Sequence, residues 1–204
     1  MCGNGIRCVG KFLYDHGMVD INEKDEITIE TLSGIKKLKA YTSGGKVNRL
    51  RVDMGKAILD PKEIPVVLDG DKVVDRPVEI AGKNYNITCV SMGNPHCVVF
   101  MDDIDDLDIE TVGPEFENDK LFPERVNTEF VTVLDDHTIK MRVWERGSGE
   151  TWACGTGACA VAVAACENGF CKKGEDIKIK LKGGDLIINY TDAVSYTHLR
   201  AHET

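Results

Sequence analysis

Cys154-Gly155-Thr156-Gly157 runs without a break into Ala158-Cys159-Ala160-Val161-Ala162-Val163-Ala164-Ala165-Cys166. The second part has the composition of a helix but no polar face, and a helix that is apolar on every side is buried on every side. Its side chains are small, so neighbouring backbone can approach closely. Stretches of strand character flank it in sequence on both sides. The pattern predicts a helix enclosed by a curved sheet, running to about Asn168 with Gly169 as its C-terminal cap.

The same device opens the chain. Cys2-Gly3-Asn4-Gly5 leads into a second helical pattern from about Gly3 to His16, in which Ile6, Val9, Gly10 and Leu13 share one face and Gly17 is the stop signal. A repeated motif predicts a repeated solution, hence an α+β fold of two pseudo-symmetric domains, each a curved, mostly antiparallel sheet wrapped around a central apolar helix.

Between the helices the sequence reads as strands. Glu26 to Thr31 and Ile35 to Tyr41 flank a turn at Ser33-Gly34. Thr42-Ser43-Gly44-Gly45 has linker composition, which places a domain boundary there: 1–45 on one side, 46–191 on the other. Val47 to Met54, Pro77 to Ile80, Tyr85 to Ser91 and Cys97 to Phe100 follow as strands, with a looser segment from Pro61 to Asp75 and a turn at Gly93-Asn94-Pro95. Asp102 to Asp108 reads as a solvated loop or helix start. Phe130 to Leu134 and Ile139 to Trp144 form a hairpin, as do Ile177 to Leu181 and Leu186 to Tyr190 across Lys182-Gly183-Gly184-Asp185.

Composition narrows the function classes. With 25 basic and 34 acidic residues the formal net charge is −9, and no Lys/Arg-rich block occurs. Nucleic acid and anionic membranes are therefore poor partners. No apolar run approaches a membrane span, and no signal-peptide pattern opens the chain, so a cytoplasmic location is expected. The 8 cysteines include no C-x-x-C pair, which argues against structural zinc and, at this length, for reduced thiols. Cys8, Cys89, Cys97, Cys159 and Cys166 read as small core residues. Only Cys2 and Cys154 have a local setting that argues for chemistry.

That setting is the start of a helix, where backbone N–H groups and the helix dipole favour an anion and lower a thiol's pKa. A thiolate and a thiol on opposite faces of a Cα–H act as base and acid. The charge that develops on deprotonation flows into the neighbouring carboxylate, which amide groups at two helix N-termini can hold. Gly3, Gly5, Gly155 and Gly157 permit close backbone approach, and Asn4 and Thr156 can cap or donate. Nothing in the chain has the form of a phosphate loop, a dinucleotide fingerprint or a metal cluster, so no cofactor and no metal are expected.

Met1-Cys2-Gly3-Asn4-Gly5-Ile6-Arg7-Cys8 closely resembles the first active-site motif of the diaminopimelate epimerase family, and Trp144-Glu145-Arg146-Gly147-Ser148-Gly149-Glu150-Thr151-Trp152-Ala153-Cys154-Gly155-Thr156-Gly157-Ala158 its second. Ser91-Met92-Gly93-Asn94-Pro95-His96 and Arg125-Val126-Asn127-Thr128-Glu129-Phe130 are similar to two further signatures. Racemases of proline share the paired cysteines but usually carry His where this chain has Asn4, and they lack the Glu-Arg-Gly run. The resemblance implies interconversion of LL- and meso-diaminopimelate without pyridoxal phosphate, in lysine and peptidoglycan biosynthesis. It also implies Cys2 and Cys154 as the catalytic pair. Gly3, Asn4, Gly155 and Thr156 would hold the reacting carboxylate, Asn94, Asn127, Glu145 and Arg146 would contact substrate, and His96 would stand near the base. The forked donors of Arg146 suit a carboxylate and Glu145 suits an ammonium. The partner is then a small amino acid, with a possible homodimer.

Two departures from the family accompany the match. Family members carry early strands before the first cysteine motif, so the chain reads as N-terminally truncated and 1–45 as the remnant of an incomplete first domain. Residues 192–204 match nothing expected at the family's C-terminus and read as a non-native tail. Three other readings stay open on the residues alone: a racemase or epimerase of another amino acid, a thiol switch joining Cys2 to Cys154, and a non-catalytic domain that binds a carboxylate at the helix ends.

Overall fold

The computed structural model describes residues 3–21, 23–32 and 34–191, together with the backbone of 195–200. In chain order these form α1 (Gly3–Asp15), β1 (Glu26–Thr31), β2 (Gly34–Ser43), β3 (Lys46–Asp53), β4 (Arg76–Ile80), β5 (Lys83–Ser91) and β6 (Pro95–Phe100). There follow α2 (Ile109–Glu117), β7 (Asn127–Asp135), β8 (Thr138–Glu145), β9 (Gly149–Thr151), α3 (Gly155–Glu167), β10 (Asp176–Leu181), β11 (Gly184–Tyr190) and β12 (Ser195–Arg200). Cys2 and Ser33 lie outside the described residues.

The strands hydrogen-bond in the order β1-β2-β3-β12-β11-β10-β8-β7-β6-β5-β4, with β9 added to β8. Most neighbours are antiparallel; β6 with β7 and β8 with β10 are parallel. β12 connects the group formed by β1, β2 and β3 to the larger group, pairing with β3 on one side and β11 on the other. It falls within 192–204, the range set apart above as a tail. The rest of that range lies outside the described residues.

α1 and α3 are each stopped by the glycine that the sequence marks. Gly17 (φ 65) sends its N–H to Tyr14 O while Met18 N bonds Leu13 O, the paired closure of a left-handed glycine cap. Gly169 (φ 79) closes α3 in the same way, through Cys166 O and, from Phe170 N, Ala165 O. The inner face of α1 is Ile6 and Gly10, with Leu13 half-buried, whereas Val9 points outward at 46% exposure. Gly10 is the closest approach: a Cβ there would lie 2.8 Å from Leu38 Cδ2 of β2.

Two expectations are corrected, one is met, and one helix is added. Thr42-Ser43-Gly44-Gly45 is not a linker but a hairpin end. Ser43 pairs with Lys46, and Gly44 and Gly45 both have positive φ, the requirement of a tight two-residue turn. β3 therefore stays with β2 and α1. Cys8 is exposed rather than in the core. The acidic stretch ends at Asp108, whose carboxylate caps α2 by accepting from Thr111 N and Thr111 Oγ1. The sequence pattern does not announce α2, because Ile109, Thr111, Val112, Gly113 and Pro114 are weak helix formers. Tertiary burial of Ile109, Val112 and Phe116 holds it in place instead.

The larger sheet group is a middle layer. On one face lies α3, with every side chain from Ala158 to Ala165 fully buried. On the other lie α2 and the segment around Ile64, Val66 and Val73. β6 and β7 are consequently buried on both sides, and their residues alternate between the two cores. His96, Val98 and Val131 belong to the α3 side with Glu129, while Cys97, Val99 and Phe130 belong to the α2 side.

The buried thiols give the fold a pH signature. Burial raises Cys166 to about 12 and Cys171 to about 11, the first also pushed up by its neighbour Cys171 and the second by Asp136 and Asp135. A thiol with a raised folded-state pKa contributes stability that is complete below the unfolded value, near 8.5, and is lost as pH rises beyond it. Melting temperature is expected to fall between about pH 8 and 10, and to fall less in a Cys166→Ala/Cys171→Ala variant. Thermal melts followed by circular dichroism across that range check this.

Candidate active site

The starts of α1 and α3 meet. A Cβ built on Gly155 would lie 3.4 Å from Asn4 Oδ1, 3.5 Å from Gly3 Cα and 3.7 Å from Asn4 N, so the two helix ends abut with only the Asn4 amide and backbone between them. Asn4 closes the junction by donating from Nδ2 to Ala153 O at 2.9 Å. Arg7, one turn along α1, donates to Asn4 Oδ1 and fixes which way the amide faces. The amide-rich ends of two helices, each carrying partial positive charge, thus converge on one place.

Cys154 is the N-cap of α3. Its Sγ accepts from Gly157 N at 3.4 Å and lies 3.5 Å from Thr156 Oγ1. It is a free thiol, buried at 5% exposure. Its titration is set by its surroundings. Burial, then the Glu129 and Glu145 carboxylates, push the thiol well above its ordinary value, and the contacts from Thr156 and Gly157 offset only part of this. This balance favours the protonated thiol. The helix terminus lowers a pKa where water reaches the sulfur; here desolvation wins.

Around this sulfur the other predicted residues form a linked shell. Asn94 donates from Nδ2 to Thr156 Oγ1 at 3.4 Å. Asn127, at the start of β7, uses both ends of its amide: Nδ2 donates to Pro95 O at 3.0 Å, and Oδ1 accepts from Arg146 N at 2.9 Å. One side chain thereby ties the Gly93-Asn94-Pro95 turn to the Glu145-Arg146-Gly147 turn. Glu145 accepts from Thr151 Oγ1. The Arg146 guanidinium donates from Nη1 to Glu124 O at 2.7 Å. His96 is wholly buried on β6, its Nδ1 2.7 Å from Glu129 Oε1. Of the predicted residues, Gly3, Asn4, Asn94, His96, Asn127, Glu145, Arg146, Cys154, Gly155 and Thr156 fall within this shell. Cys2 lies outside the described residues and precedes Gly3 in the chain.

Two residues of the shell were not singled out from sequence. Glu117, at the end of α2, is a buried carboxylate that accepts from Trp144 Nε1 at 2.7 Å, Gly147 N at 2.9 Å and Arg125 Nη1 at 3.0 Å. It anchors the turn that carries Glu145 and Arg146. Gly113 makes room for this, since a Cβ there would lie 2.3 Å from Trp144 Cδ2. Glu129 is the other. A carboxylate inside Thr128-Glu129-Phe130-Val131, a run otherwise fit for a doubly buried strand, is the signal that could have flagged it.

The fold is one shared with racemases and epimerases of small amino acids. A crystal structure described as a probable proline racemase from Agrobacterium radiobacter superposes with a TM-score of 0.75 at 16% identity, covering 98% of this chain and 65% of that one. A hydroxyproline epimerase from Agrobacterium vitis gives the same TM-score at 14% identity, covering 100% and 65%. The family model described as diaminopimelate epimerase matches residues 88–198. A diaminopimelate epimerase of Desulfovibrio desulfuricans is 51% identical over 98% of this chain and 70% of its own length. One of Agathobacter rectalis is 49% identical over 100% and 72%. The chain belongs to the diaminopimelate epimerase family, a family of isomerases.

Proposed function

We propose that this site inverts the α-carbon of diaminopimelate, interconverting the LL and meso forms, with Cys154 and Cys2 as the two proton-transfer groups and no cofactor. The observation that carries the reading is the abutment of the two helix starts at Gly3 and Gly155. A substrate carboxylate set there faces the N-terminal amide ends of both helices, whose dipoles stabilise it as charge develops. Burial and two carboxylates favour the thiol form of Cys154, so it is assigned the acid for a substrate deprotonated from the other face. After one turnover the proton inventory is reversed and the same residue serves as base for the opposite isomer. Glu145 and Arg146 are assigned to the amino-acid end that does not react, as partners for its ammonium and carboxylate. The enzyme is placed in the cytoplasm with a small amino acid as its partner, and a homodimer is part of the same reading.

The test is isotope exchange. Incubated in deuterium oxide, LL-diaminopimelate is expected to gain deuterium at one α-carbon as the meso form appears, without added pyridoxal phosphate. Inversion with the original hydrogen retained would remove the two-group mechanism. Binding with neither exchange nor inversion would point to a carboxylate-binding protein.

A further inference from the structure

Glu129 and His96 make a pair that the reaction scheme above leaves unused. Both side chains are 0% exposed, and they meet through Glu129 Oε1 and His96 Nδ1 at 2.7 Å. Their outer atoms, Glu129 Oε2 and His96 Nε2, are buried and have no hydrogen-bond partner among the described residues. Two unmet polar atoms in one dry pair are costly to fold, at about 1–3 kcal/mol each, unless something else in the working enzyme meets them. The pair is not remote. Its carboxylate lies under the first turn of α3: a Cβ on Gly157 would sit 2.5 Å from Glu129 Oε1, and Gly157 is the residue whose N–H contacts the Cys154 sulfur.

Burial pushes the Glu129 carboxyl up, and the contact with His96 opposes this. We infer that Glu129 is a positioning residue for this reaction: paired with His96 Nδ1, its carboxylate orients the ring so that Nε2 is left as an acceptor, and it sets its charge against the helix turn that carries Cys154. A carboxylate accepting from Nδ1–H leaves the other ring nitrogen with its lone pair, as in the second shells that orient imidazoles elsewhere. Nε2 can then accept a hydrogen bond from a thiol or an ammonium. Among the described residues, the titratable groups facing the sulfur are Glu129 from β7 and Glu145 from the end of β8, and both disfavour the thiolate. Glu129 is faced in turn by His96, by Glu145 and, across the strand, by Cys97. The inference rests on the proposed reaction for the role of His96, but the effect on Cys154 does not need turnover.

The experiment compares the whole chain with Glu129→Gln, which keeps the shape and removes the charge. The first readout is iodoacetamide alkylation of Cys154, located by peptide mass and followed against pH. Loss of the nearby charge is expected to move its midpoint to lower pH, giving about tenfold faster alkylation at a fixed pH on the rising limb. The second is steady-state epimerisation. A drop in kcat of about 10–100-fold with KM within twofold is expected, since Glu129 does not touch substrate. A variant that is merely less stable would change neither. An unshifted alkylation midpoint with kcat within twofold, in folded Glu129→Gln, overturns the inference. A shifted midpoint in a chain whose wild type does not epimerise would leave Glu129 in place and overturn the proposed function instead. Should Glu129→Gln not fold, Glu129→Asp decides. It keeps the charge but withdraws from His96, so a wild-type midpoint with reduced kcat is expected, and wild-type kcat would overturn the inference.

Discussion

Cys154→Ala is expected to lower epimerisation of both isomers by a factor of about 10²–10⁴ or more, the range over which positioned acids and bases act. In free-energy terms that is about 3–5 kcal/mol of transition-state stabilisation. The fold should survive. Removing one sulfur from a buried but small site deletes little apolar surface, and the N-cap contact it gives up, Gly157 N at 3.4 Å, is long. A loss of about 0.5–2 kcal/mol covers the cap. The diagnostic part is the split between two observables. Inversion needs a group on each face of the α-carbon, whereas exchange with solvent needs only one. In the alanine variant, inversion should disappear from both directions, and any α-hydrogen exchange that persists should be confined to one isomer. Exchange and inversion are separated by running each isomer in deuterium oxide and resolving the products chirally. Full inversion in Cys154→Ala, or residual exchange that is equal for both isomers, is the outcome that sinks the two-thiol assignment.

What the sequence made legible was whatever depends on local pattern. The all-apolar helix could be read from Ala158 to Cys166 alone, because no amphipathic alternative exists for that composition. Gly17 and Gly169 were readable as caps, since each follows the last residue of its periodic stretch. Four motifs marked the candidate residues, and hydrogen bonds link Asn94 through Thr156 to Cys154 and Asn127 to the Arg146 backbone. Three features were hidden by longer-range physics. Gly44-Gly45 has the same composition as a linker and as a tight hairpin turn, and only the pairing of Ser43 with Lys46 distinguishes them. α2 is a helix by virtue of what it buries rather than what it prefers. The protonation of Cys154 could not be read, because the helix end is visible in sequence while the Glu129 and Glu145 carboxylates that oppose it arrive from β7 and β8.

Gly157→Ala is expected to destabilise the protein by about 2 kcal/mol or more, against the usual sign for this exchange in a helix, which favours alanine by about 0.5–1 kcal/mol. The new Cβ would lie 2.5 Å from Glu129 Oε1, 3.2 Å from Glu129 Cδ and 3.1 Å from Met141 Cε. The methionine methyl is flexible and can swing away. The carboxylate has no such freedom: it is fully buried and held by His96 at 2.7 Å. Relief requires moving the strand, the helix start or the pair. Parting a buried, hydrogen-bonded pair is the most damaging of these, on the order of 3–5 kcal/mol when one partner is lost. Urea titration measures the effect as a lower midpoint at unchanged slope. The cause is isolated by repeating the substitution in a Glu129→Ala background, where the Cβ has room. There the penalty should vanish or reverse, giving a coupling of at least about 1 kcal/mol between the two sites. An equal penalty in both backgrounds would mean that the contact between the first turn of α3 and the Glu129–His96 pair is not what requires glycine at this position.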